Sequence, residues 1–124
     1  MIDSHCHLYF QNIKDNLSQI INNAKKNKIS SILSINTNPL DFEDHYNLIK
    51  DYKSIFISYG LHPSEVNNNN IIQSETIINQ CKLEKVIGIG ETGLDFYQSE
   101  KYIKEQYKVF EEHIEASITN NLPL

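Results

Sequence analysis

Short β-branched runs alternate along this chain with longer stretches whose apolar residues recur every three or four positions, and the alternation repeats four times. Ile2 to Leu8 predicts a strand with Asp3, His5 and His7 on one face and Ser4 and Cys6 on the other. Ile13, Leu17, Ile20, Ile21 and Ala24 follow at the spacing of an amphipathic helix. Ile29, Ile32, Leu33 and Ile35 predict a second strand. Asn38-Pro39 then opens a helix, with Asn as its cap and Pro at the first position, and Phe42, Tyr46, Leu48 and Ile49 as its buried stripe. Ile55 to Tyr59 reads as the third strand. Ile71 to Cys81 reads as the third helix, although Ile71, Ile72, Ile77 and Ile78 would also suit a strand. Val86 to Ile89 is the fourth strand. Tyr102, Ile103, Gln106, Phe110, His113, Ile114 and Ile118 predict a long helix that ends near Asn120-Asn121.

Four successive β-α units of about thirty residues imply parallel strands joined by right-handed crossovers. Eight such units close a barrel of about 250 residues. The expectation is therefore an α/β fold in which residues 1–124 form a single domain, the first half of a TIM (β/α)8 barrel. Leu122-Pro123-Leu124 reads as the approach to a fifth strand. Four strands cannot close, so the edges at Ile2–Leu8 and Val86–Ile89 keep unpaired backbone groups beside an uncovered apolar face. Self-association, or pairing with a separately encoded carboxyl half, is the expected consequence.

Composition narrows the partners. A net charge of −5 without a single arginine argues against a duplex-binding surface, which needs clustered cations. Lys25, Lys26 and Lys28 form the one basic cluster and read as a solvated helix end. Cys6 and Cys81 lie far apart without a repeated spacing, and the start of the chain does not resemble a signal peptide, so a cytoplasmic setting with reduced thiols is expected. No apolar run approaches the roughly 20 residues of a membrane span. Asn67 to Asn70 reads as a surface loop.

In a parallel β/α fold, reactive groups gather at the carboxyl ends of the strands, and the polar signals of this chain fall there. Alternation places His5 and His7 on one face, about 6.6 Å apart along the strand. Glu91 follows the fourth strand inside Gly90-Glu91-Thr92-Gly93. Imidazole and carboxylate together suit a hard or borderline divalent cation, so His5, His7 and Glu91 amount to half a metal site. His62, before Pro63, reads either as a loop residue or as a group that holds substrate phosphate. His113 inside the last helix predicts a core hydrogen bond. His45 belongs to the second helix, and Cys6 points away from the metal face.

Asp3-Ser4-His5-Cys6-His7-Leu8, Gly60-Leu61-His62-Pro63, and Gly90 to Tyr97, together with Gln106, Phe110, His113, Ile114, Ala116 and Leu122-Pro123-Leu124, resemble the TatD family of metal-dependent deoxyribonucleases. The resemblance is ordered and spans the whole chain. It implies an amidohydrolase-like TIM barrel that hydrolyses DNA phosphodiester bonds, commonly as an exonuclease on a single strand or an end. It also implies two divalent ions per complete site, Mg²⁺, Mn²⁺ or Zn²⁺. His5 and His7 match the family's first ligand pair, and Glu91 matches its carboxylate ligand and catalytic group. Two further histidines and an aspartate of the family would fall beyond Leu124, so activity of this stretch alone is expected to be impaired. Two other readings suit the same residues: a different amidohydrolase-type enzyme acting on a cyclic amide or ester, or an inactive gene fragment or half-barrel that serves as an interaction module.

Overall fold

Where β-branched residues alternate inward and outward the chain forms one parallel sheet, of strands β1 (Ile2–Cys6), β2 (Ser31–Ser34), β3 (Ile55–Tyr59) and β4 (Val86–Ile89), ordered β1-β2-β3-β4. The computed structural model describes residues 1–97 and 100–124. Parallel neighbours need crossovers, and helices supply them. These are α1 (Gln11–Lys14), α2 (Leu17–Lys26), α3 (Phe42–Ile49), α4 (Ser74–Gln80) and α5 (Ile103–Asn120), with single 3₁₀ turns at Pro39–Asp41 and Pro63–Glu65. Strand order, direction and helix alternation are those expected of a partial TIM barrel.

Several boundaries differ from the sequence expectation, each for a local reason. β1 stops at Cys6 rather than Leu8, because the Leu8 N–H leaves the ladder and donates to the Ser34 hydroxyl (3.3 Å). The first helix divides into α1 and α2 at Asn16, whose N–H bonds back to the Ile13 carbonyl while its own carbonyl starts the next helix at Gln19 and Ile20. The third helix begins at Ser74, not Ile71, and the Ser74 N–H donates to Glu112 of α5 (2.6 Å). Asn38 does cap, its side chain accepting the Leu40 N–H, but what it caps is the 3₁₀ turn Pro39–Asp41, and α3 itself begins only at Phe42.

The helix side of the sheet carries the core. Leu8, Ile49, Ile55, Ile57, Leu61 and Ile77 are completely buried there, and α5 adds Val109 and Ala116. Each large side chain buried in this way contributes about 1.5–3 kcal/mol. On the other side Leu33, Ile35, Ile87 and Ile89 line an open concavity of about 540 Å³, with Pro123 and Leu124 at its rim. Ile87 stays 39% exposed there. The Ile89 N–H donates to the Pro123 carbonyl (2.8 Å), so the chain after α5 does return alongside β4 in the position of a fifth strand. Among the described residues no helix is long and apolar enough to cross a membrane.

Candidate metal centre

His5 is the penultimate residue of β1, His7 lies just beyond it and Glu91 just after β4, so the sheet brings together groups 84 or more positions apart in sequence at one mouth. Nε2 of His5 and Nε2 of His7 are 3.2 Å apart. Oε2 of Glu91 stands 3.8 Å from the first and 3.9 Å from the second, and the donor atoms of all three residues lie within 4.8 Å of one another. Two nitrogens bound tetrahedrally at 2.0–2.1 Å would be about 3.3 Å apart, so the imidazole spacing fits one divalent ion. The donor set, two imidazoles and a carboxylate, is the one such an ion takes.

His62 reaches the same carboxylate from β3, with Nε2 3.6 Å from Oε1 of Glu91. Its Nδ1 accepts the Ser64 N–H (3.1 Å) and meets the Ser64 hydroxyl (2.7 Å). An Nδ1 that accepts leaves the proton on Nε2, which therefore faces the site as a donor. Cys6 stays out of the cluster. Burial, and then the Asp3 carboxylate, push its thiol above the ordinary range, which disfavours the thiolate a metal would need. Asp3 also stays out, its carboxylate accepting the His5 N–H.

Main-chain bonds lock this mouth. The Gly90 N–H donates to the Tyr59 carbonyl, the Glu91 N–H to the Asn36 carbonyl and the His62 N–H to the Thr37 carbonyl, all at 2.8–2.9 Å. Asn36-Thr37, at the end of β2, thus holds both Glu91 and His62. Sequence reading did not single these residues out. Their place at a strand's carboxyl end was the available signal.

Buried polar side chains form the next layer. Gln106 of α5 grips one main-chain unit of the β4–α5 loop, its Oε1 accepting the Asp95 N–H (2.9 Å) and its Nε2 donating to the Asp95 carbonyl (3.0 Å). Two turns on, His113 accepts the Leu61 N–H on Nε2 and donates from Nδ1 to Val109, the core hydrogen bond expected of it. On the β1 side Ser34 accepts the Leu8 N–H and bonds Nε2 of His45 (2.7 Å). Burial, with His7 nearby, lowers His45 to a pKa of about 4, so it is neutral at pH 7.

A sequence profile of the family described as TatD related DNase matches residues 2–124. The chain belongs to the TatD-related DNase family. It is 37% identical over 129 residues to an uncharacterized metal-dependent hydrolase of Buchnera aphidicola subsp. Baizongia pistaciae, covering 100% of this chain and 48% of that relative. It is 25% identical over 125 residues to the 3'-5' ssDNA/RNA exonuclease TatD of Pectobacterium carotovorum, again covering 100% of this chain and 48% of the other. The crystal structure of YjjV, a TatD homologue from Escherichia coli K12, matches with a TM-score of 0.85 at 22% identity, over 99% of this chain and 48% of that one. This TatD-family chain therefore spans about half the length of the relatives it matches, with the fold of a partial TatD barrel.

Proposed function

We propose that this TatD-family chain supplies the amino-terminal half of a divalent-metal centre that hydrolyses DNA phosphodiester bonds, working from a single-stranded end. The observation that carries the reading is the convergence of His5, His7 and Glu91 within 4.8 Å at the carboxyl mouth of the sheet. The exonuclease name of the Pectobacterium relative supports the choice of substrate.

In this reading His5, His7 and Glu91 would hold the metal, and Glu91, with one oxygen toward the imidazoles and the other toward His62, would also face a second ion of the complete site. Bound there, Mg²⁺, Mn²⁺ or Zn²⁺ would supply Lewis-acid stabilisation of phosphoryl charge and activation of water. His62 donates from Nε2 to a phosphate oxygen and so fixes the scissile group beside Glu91. The open edge of β1, the strand position that Pro123 begins beside β4, and the apolar concavity receive the other strands of a complete barrel, on this polypeptide or another.

The test is an end-labelled single-stranded oligonucleotide incubated with the complete barrel and Mn²⁺. Stepwise shortening from one end is expected, slowed about a hundred- to a thousandfold by Glu91→Gln. Shortening that proceeds at the same rate in the variant overturns the assignment.

A further inference from the structure

Phe10 is an apolar ring left 53% exposed beside the metal ligands. Its own main chain fixes it: the Phe10 N–H bonds the His7 carbonyl, and the Phe10 carbonyl accepts the N–H groups of Ile13 and Lys14 at the start of α1. The ring lies on the imidazole of His7, with centroids 4.7 Å apart and planes 4° from parallel. One face is therefore used by a ligand of the proposed metal, while about half of the residue's surface stays open to solvent and can extend the stack.

We propose that Phe10 is a stacking platform for an unpaired base, which seats the terminal nucleotide of a single strand while its phosphate lies at the His5, His7 and Glu91 cluster. The inference rests on the nucleic-acid reading above and adds the group that selects an unpaired end. Proteins that hold single strands combine a cationic groove with aromatic faces. This chain carries 11 lysines and no arginine against 16 acidic residues, so the cationic contribution is weak and affinity falls to the metal and to stacking. A base inside a duplex has both faces covered by its neighbours and cannot join the stack, whereas a frayed or single-stranded end can.

The measurement is the affinity of the chain, in Mn²⁺, for a thymidine octanucleotide and for an abasic oligomer of the same length. Base stacking on one aromatic ring is worth about five- to a hundredfold in affinity. The wild type is expected to prefer the thymidine strand by a factor in that range, and Phe10→Leu, which keeps an apolar cover on His7 but has no π face, is expected to bring the ratio to about one. The chain has no tryptophan, so Phe10→Trp provides a single reporter whose emission the thymidine strand quenches and the abasic strand does not. Equal affinity of the wild type for both strands, a preference that survives in Phe10→Leu, or equal quenching of the tryptophan by both strands overturns the platform while leaving phosphate binding at the metal intact. Failure of both strands to bind in Mn²⁺ overturns the platform, since the ring then holds no base, whereas the nucleic-acid reading itself falls only if the complete barrel also fails to shorten the single-stranded oligonucleotide.

Discussion

His113 and Leu61, 52 positions apart, are joined by a buried hydrogen bond in which Nε2 accepts the Leu61 N–H at 3.1 Å. Because Nδ1 bonds the Val109 carbonyl at 2.7 Å, the ring can neither rotate nor change tautomer without losing a partner. Helix α5 thereby grips the main chain immediately before His62. Replacing His113 with Phe keeps the volume but strands the Leu61 N–H in the core, which costs roughly 1–3 kcal/mol. Urea denaturation is expected to show that loss. An unchanged midpoint would mean that the bond contributes nothing to the fold.

The two buried histidines also predict how stability depends on pH. His45 is lowered to about 4 by burial and by His7, and His113 is lowered by burial. In the unfolded chain each titrates near 6.5. As pH falls below that value the unfolded chain takes up protons that the folded one refuses, so stability present above about pH 6.5 is lost as pH falls toward 4. For His45 the loss approaches about 3 kcal/mol. Denaturation in metal-free buffer is expected to show a midpoint that drops between pH 7 and pH 5, and drops less in His45→Gln. A flat profile over that interval contradicts the assignment of both rings as neutral.

Metal binding gives a direct check of the cluster. With three protein ligands and solvent completing the shell, the chain is expected to bind Zn²⁺ or Mn²⁺ weakly, and the His5→Ala/His7→Ala double variant to lose binding altogether. A ligand at a hundred times its Kd stabilises the folded state by about 2.7 kcal/mol, so a chelator should lower the thermal midpoint of the metal-loaded wild type and leave that of the double variant in place. Calorimetry that finds the same affinity in both proteins removes His5 and His7 from the site.

What could be read from the sequence divides along the range of the interactions. His5 and His7 announce themselves because a strand period of two puts them on one face, and Glu91 because a glycine-flanked carboxylate ends an apolar strand. Strand order and direction followed from the regular alternation of the two periodicities. The break at Asn16 did not, since apolar spacing runs through it and only main-chain bonding divides α1 from α2. Gln106 and His113 were visible as inward positions of a helix, but their acceptors and donors are main-chain groups of Asp95 and Leu61, which no side-chain pattern encodes. Asn36 serves Glu91 through its carbonyl, the part of a residue least legible in a sequence.

Gly60 sets how closely the ends of β3 and β4 approach. A Cβ placed on it would lie 2.5 Å from both the carbonyl carbon and the Cα of Gly90, and 2.8 Å from the Gly90 oxygen. These are main-chain atoms, so no rotamer relieves the contact. Nor can Gly90 and Glu91 simply retreat, because their N–H groups are held by Tyr59 and Asn36. Gly60→Ala must therefore part the ends of β3 and β4 and carry Glu91 away from the imidazoles. Overpacking of this kind costs roughly 1–3 kcal/mol, and metal affinity is expected to fall about tenfold or more with it. Gly88→Ala is the matched control, since the nearest atom to its Cβ is the Pro123 oxygen at an ordinary 3.7 Å. Thermal denaturation and Zn²⁺ calorimetry on the two variants decide the matter: if Gly60→Ala melts and binds like Gly88→Ala, the close approach of the two strand ends does not position the carboxylate.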